Sequence, residues 1–464
     1  MIAGPVAQQP LRIAVVGCGF TGAAFIVHAL RSLPGPLALE VVEPAAELGL
    51  GVAYAATDPL HRINVPSDRM SLHPEDPGHA TRWLFQAGIL PGDGASTDAA
   101  GHHYVPRRAY GAYVGDVLAE ALRQAGPRVR LRHHRAVALG ARALPDWSLR
   151  LSDGTTVAAD RLVLSFGHGA PAAPFPIAPE AAADPRLIAN PWQPDAVAAL
   201  DGDTAVLIVG TGLTMADMVE TLLARGHRGP ITAVSRRGLI AQPQGLYRDD
   251  FDLLEGGPPP STALALLRLA RRRAAAASRA GLGWAPAADA LRFELPRLWP
   301  ALPAAERRRV VQRLLPFWES HRFRMAPQPH RTLSRAVETG RVRVERAGVR
   351  SVEVADGRLV ATLRRPGGAL ESAAFGGIVL CIGPDRDPTR HPLVRDLVAA
   401  GLARLDALGI GLDVDQGSRL LDRDGRAQAG ALALGPMTRG TFGEMTGAPD
   451  IVRRVAALAP TLAP

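Results

Sequence analysis

One pattern occurs twice in this chain, and that repetition limits the possible folds more than any other feature. LRIAVVGCGFTGAAFIVHAL (11–30) places a short apolar run, Ile13 to Val16, before Gly17, Gly19 and Gly22 in G-x-G-x-x-G spacing, and a helix-forming segment follows. LALEVVEP then reads as a second strand with Glu43 at its end. At 205–226, AVLIVGTGLTMADMVETLLARG repeats the arrangement with Gly210 and Gly212, although Met215 holds the third glycine position. ITAVSRRG is the next strand there, and it ends in Ser235, Arg236 and Arg237.

The spacing has a physical reason. The first glycine makes a tight turn, the second lets a pyrophosphate approach the backbone, and the third lets helix and strand pack closely; the helix N-terminus then faces the phosphates. An acid at the end of the second strand accepts a ribose 2′-hydroxyl, whereas arginine there suits a 2′-phosphate. The first unit therefore reads as an FAD site and the second as an NADPH site. The plainer alternatives are a glycine turn without a ligand and, for Arg236 and Arg237, strand-end charges in an arginine-biased chain.

RLVLSFGHG (161–169) and GGIVLCIGP (376–384) are apolar strands that end in glycine, each preceded by short strands: two joined at Asp153-Gly154, and VEVADGRLVATL. The expectation is an α/β chain with two Rossmann-like dinucleotide-binding domains, for FAD and NADPH, and a helical insertion. The FAD domain takes 1–170 and returns at 375–464. The NADPH domain takes 171–374, with the insertion at about 251–335. Within the insertion, TALALLRLARRRAAAASRAG predicts a helix ending near Gly281, and AAERRRVVQRLLPFW a second helix that Pro316 bends or ends.

Composition narrows the class. Hydrophobic residues make up 47% and charged residues 21%, ordinary for a globular protein. No run reaches the ~18 apolar residues of a membrane helix, and the N-terminus lacks a signal-peptide pattern, so a cytoplasmic protein is expected. The net charge of +9 comes with no lysine at all: every one of the 53 basic residues is arginine. That reads as a coding bias, and the arginine clusters lack interleaved aromatics, so a nucleic-acid surface is not expected. Without lysine the chain has no Schiff-base chemistry of its own. The two cysteines, Cys18 and Cys381, give neither a Cys-x-x-Cys pair nor metal spacing. The chemistry is then a cofactor's, with the protein supplying orientation and electrostatics.

Further motifs run the length of the chain: GVAY (51–54), INVPSDRMS (63–71), YVPRRAYGAY (104–113), GTGLTMAD (210–217), SRRGL (235–239), WESHRFRMAP (318–327) and LALGPMTRGTFGE (432–444). With these the sequence resembles the FAD/NAD(P)-binding proteins of the bacterial YdhS-like group, relatives of flavin-dependent N-hydroxylases and of an FAD-dependent urate hydroxylase. The resemblance implies cofactor contacts at Phe20, Thr21, Arg69, Ser71, Arg107, Val137, Gly167, Leu213, Thr214, Gly383, Gly435, Pro436 and Thr441. It departs from the group at HRFR, which often carries two further His/Arg positions, and at Phe442-Gly443, where a tryptophan is common.

Asn64 is one of only two asparagines in the chain, and it lies in an irregular loop that leaves the end of the first unit. A flavin ring edge needs both a donor and an acceptor, and an asparagine side chain offers both. Asn64 and Met70 are the expected catalytic contacts, with capping of a turn the alternative for Asn64. His321, Arg322 and Arg324 are candidates for holding an anionic substrate, or for structural ion pairs. Three readings follow. The first is an NADPH-dependent FAD monooxygenase that hydroxylates a small nitrogen-containing molecule, a purine such as urate or an amine, with dioxygen through a flavin C4a-hydroperoxide. The second is an NAD(P)H oxidase or acceptor reductase. The third is a non-catalytic redox sensor. The oligomeric state is not readable.

Overall fold

The computed structural model describes residues 9–143, 145–167, 169–385 and 387–463. Its first sheet has six strands in the order Arg419–Leu421, Ala427–Ala433, Arg161–Leu164, Leu11–Val16, Leu37–Val42, Val129–His134. All neighbours are parallel except the first pair. The helix Phe20–Ser32 returns the chain between the first two strands in sequence. Every residue from Phe20 to Leu30 is buried, because the sheet lies on one side and the helices Arg107–Ala125 and Ala448–Leu458 on the other. A helix apolar all round belongs in such a middle layer. The opposite face of the sheet is covered by the antiparallel strands Ala138–Ala143, Trp147–Leu151 and Thr156–Ala159 and by the helix Pro392–Ala399.

The second sheet is all parallel, in the order Val342–Arg346, Ile231–Ser235, Val206–Val209, Gly377–Leu380, Leu187–Ile188. The helices Leu213–Ala224 and Pro327–Glu338 pack together against one face. The meander Gly348–Ala355, Arg358–Arg364, Leu370–Phe375 covers the other. Both meanders have three strands, where the sequence suggested shorter hairpins.

Two expected boundaries move. Gly377–Leu380 pairs in register with Val206–Val209, so the chain leaves the second domain after Leu380 rather than at 374. Pro327–Glu338 is the crossover helix of the second sheet, so the insertion closes before Pro327 rather than at 335. The insertion is also richer than expected. Between Ala263–Arg279 and the helix beginning at Ala304 stands another, Ala285–Ala301, with Pro296 and Pro300 inside it. The later helix continues through a widened turn at Val310–Leu314 to Leu315–Arg322. Pro316 explains the widening, since it has no N–H to continue the regular ladder.

Candidate functional site

The two glycine turns lie at the C-terminal ends of their sheets, where ligands of open α/β folds bind. Gly17 has φ +86°, and a side-chain carbon on Gly22 would stand 2.3 Å from the Gly17 carbonyl oxygen. Helix and turn are therefore in direct contact, as the third glycine requires. Glu43 is held at the strand end by backbone donors: the Cys18 N–H reaches one carboxylate oxygen at 2.9 Å and the Ala45 N–H the other at 3.1 Å. From the far end of the chain, Gly435 closes over the same helix start, and a side chain there would meet Thr21 at 2.8 Å. Pro436 is buried beside it. Thr441 is buried too, and its hydroxyl has no hydrogen-bond partner among the described residues. An orphaned buried hydroxyl on the segment that carries Gly435 fits a bound dinucleotide.

In the second unit Gly210 has φ +113° and presses on the Cys381 carbonyl, while nothing lies within 4 Å of a side chain built on Gly212. That open side precedes Leu213 and Thr214, the first turn of the helix. Met215 fills the third glycine position by burying its side chain in the domain core. At the strand end, Ser235 Oγ lies 2.8 Å from Thr211 Oγ1 and accepts the Gly238 N–H at 3.0 Å, which fixes the turn. Arg236 and Arg237 are exposed beyond it. Arg237 lies 4.9 Å over the Phe317 ring of the insertion. Gly167 and Gly383 are exposed past the ends of their strands.

Asn64 borders a cavity of about 710 Å³ between the first-domain loop and the insertion, together with Arg69, Ser71, Tyr247, Asp289 and Arg324. Gln244 donates to the Asn64 carbonyl at 2.6 Å. Arg69 pairs with Asp249 and lies 4.5 Å over the Tyr247 ring. Arg324 pairs with Asp289, yet its Nη1 and the second Asp289 oxygen are buried without partners among the described residues. Gln244, Tyr247, Asp249 and Asp289 were not picked out from the sequence. The first three share one signal, the polar cluster QGLYRDD (244–250), just beyond the second nucleotide strand; Asp289 has none.

Several expected site residues do other work. Met70 is only 3% exposed and packs in the first-domain core, so protein already encloses the side chain assigned to catalysis. Arg107, expected near an FAD phosphate or the substrate, donates to Asp217 of the second nucleotide helix at 3.3 Å and joins the two domains. The Val137 N–H donates to Ser152 Oγ at 3.0 Å, within the meander. The Ser71 hydroxyl donates to the His73 carbonyl. The segment HRFR is divided. Arg324 faces the polar cavity, while His321 borders a separate apolar one, its Nδ1 2.8 Å from the Phe317 carbonyl. Arg322 is buried in a two-point pair with Glu444 at 3.0 and 3.2 Å, so its charge is already matched.

Residues 14–169 match the family model described as FAD-NAD(P)-binding. Over its whole length the chain has the fold of proteins built from two dinucleotide-binding units. No curated protein shows significant sequence similarity to it. Among solved structures, the ornithine N-hydroxylase of Kutzneria sp. 744 superposes with a TM-score of 0.64 at 17% identity, over 98% of this chain and 99% of that one. The FAD-bound cadaverine monooxygenase of Erwinia amylovora gives 0.64 at 14%, over 97% and 94%. The thioredoxin reductase of T. acidophilum gives 0.52 at 12%, over 98% of both. Thiol chemistry has no footing here: Cys18 and Cys381 are unpaired and buried, and burial, with Glu43 nearby, pushes the Cys18 thiol up to about 12. No group of three or more potential metal ligands and no membrane-length apolar helix occurs among the described residues.

Proposed function

We propose that the chain is an NADPH-dependent FAD monooxygenase acting on a small nitrogen-containing substrate, an amine or a purine such as urate. The observation that carries this reading is the pairing of two nucleotide cradles, one ending in Glu43 and the other in Arg236 and Arg237, with a polar cavity bordered by Asn64. Bound FAD would supply hydride acceptance from NADPH and activation of dioxygen. The protein's residues do the rest. Glu43, fixed by two backbone N–H groups, accepts the ribose hydroxyl of the flavin nucleotide. Arg236 and Arg237 hold the coenzyme 2′-phosphate. Asn64 offers a donor and an acceptor at the cavity wall. The unpartnered Arg324 Nη1 and Asp289 oxygen give a small polar substrate one donor and one acceptor for orientation, and the insertion forms one wall of the cavity. An ornithine N-hydroxylase and a cadaverine monooxygenase share the fold, which supports an amine.

The test is direct. Purified protein should carry yellow flavin that NADPH bleaches, and ornithine, lysine, cadaverine or urate should accelerate NADPH and oxygen consumption with matching product. Peroxide release that no substrate alters would favour the acceptor-oxidoreductase reading. Replacing Arg236 and Arg237 with serine should raise the KM for NADPH about 10- to 100-fold, the worth of a charge-assisted hydrogen bond or two, and leave NADH kinetics unchanged. An equal loss with both coenzymes would remove those arginines from the phosphate site.

A further inference from the structure

Helix Ala285–Ala301 separates two chambers of opposite character. Its Asp289, Arg292 and Glu294 border the polar cavity, while its Ala288, Leu291 and Leu295 border a second cavity of about 540 Å³. The neighbouring helices Ala263–Arg279 and Leu315–Arg322 add Leu266, Ala270 and Trp318, and Ile410 and Gly443 come from the returning first domain. Three tryptophans, Trp284, Trp299 and Trp318, line this chamber. The Trp299 ring seats against Gly443, where a side-chain carbon would stand 2.7 Å away, and its N–H donates to the Gly440 carbonyl at 2.9 Å.

Two polar groups at this lining are already engaged. Glu444 is committed to Arg322, and His321 Nδ1 lies within hydrogen-bond distance of the Phe317 carbonyl. A buried water needs two to four polar partners, so hydrocarbon walls of this extent give water little hold. The volume falls within the range of small-molecule sites, where apolar walls supply affinity and a few polar groups at the edge fix orientation. A polyanionic coenzyme gains nothing from such walls.

We infer that this chamber is a second ligand site, distinct from the polar cavity, and that it takes the linear alkyl or aromatic body of a small amphiphile. The polar head then lies toward the exposed Arg271 and the half-buried His321. Nothing in the nucleotide chemistry requires such a site, so it stands or falls apart from the proposed activity.

Because three of the six tryptophans line the chamber, their emission reports binding without turnover. The holoprotein is titrated with n-alkanoates and n-alkylamines of increasing length, below micelle-forming concentrations. Affinity should tighten about fourfold per methylene, the worth of burying each one, until the chamber is full. The two series distinguish an acidic from a basic head. Ala288→Phe and Ala270→Phe fill the space from two different helices. Each should abolish the gain with chain length while flavin content and reduction by NADPH stay unchanged. The wild-type length series is decisive even if both variants misfold. Affinity independent of chain length overturns the inference. So does undiminished binding in both folded variants, or displacement of the alkyl probe by saturating NADP+.

Discussion

Glu220 shows how one side chain makes the protein's stability depend on pH. It lies on the helix Leu213–Ala224, its Oε1 3.5 Å from the Thr332 hydroxyl and its Oε2 buried without a partner among the described residues. Burial, and then the neighbouring Asp217, push its carboxyl up to about 7, while Arg62 pulls the other way and Asp58 adds to the rise. The sign follows from proton counting. Below the ordinary glutamate range both folded and unfolded chains hold the proton, and nothing is lost. Between about 4.5 and about 7 the folded chain keeps a proton that the unfolded chain has released, so stability falls as pH rises, and above that range the loss is complete. Glu220→Gln, which imitates the protonated form, should therefore melt at a higher temperature than wild type at pH 8 and at nearly the same temperature at pH 4.5. Melting curves that differ equally at both pH values would show that the carboxyl does not titrate in this window. Nothing in the sequence marked this residue, because its ionisation depends first on burial, which only the folded chain sets, and Arg62 and Asp58 reach it from the first domain.

The elements divide into those whose signal is local and those shaped by packing. The two glycine turns are local, and their geometry separates two roles that the motif merges. A side chain on Gly22 would collide with the Gly17 carbonyl, whereas one on Gly212 meets nothing within 4 Å. Gly22→Ala should lower the melting temperature and the flavin content together. Gly212→Ala should fold normally, keep its flavin, and bind NADPH more weakly, because its methyl group projects into the space a pyrophosphate needs. Melting curves, flavin absorbance and NADPH titration distinguish the two; equal loss of stability in both would contradict the assignment. The strands, both nucleotide helices and the strand-end positions of Glu43 and the arginine pair were legible because each is set by residues a few positions apart. Helix Ala285–Ala301 was not, since interior prolines normally break a helix. Here burial of Leu291, Leu295, Leu298 and Trp299 outweighs that penalty. The placement of Gly377–Leu380 was equally hidden, since an apolar run of four residues carries no mark of which sheet it will join.

At the scale of the whole molecule, the insertion is bound to the first domain by charge. Arg322, from the end of the insertion, and Glu444, in the returning part of the first domain, are each 4% exposed in their side chains. Arg292 and Arg453 reach Asp450 on the C-terminal helix, which extends the network. Burial alone would push the Glu444 carboxyl up, but Arg322 and Arg292 outweigh it and hold the group below its usual range. A buried pair contributes little compared with well-packed hydrocarbon, yet removing one partner leaves a charge stranded. Arg322→Met should therefore cost about 3 kcal/mol, the lower end of the range for a broken buried pair, because Arg292 remains nearby. The double variant Arg322→Met/Glu444→Leu should recover most of that loss, since no stranded charge is left. Urea unfolding measures the free energies. Protease cleavage within 251–322 reports whether the insertion has come away from the rest. Because Glu444 follows directly on the segment that carries Gly435 and Thr441, the single variant should also release flavin more readily than the double. If the single and double variants prove equally stable, the pair is a passive contact, and the docking of the insertion rests on Trp299 against Gly443 instead.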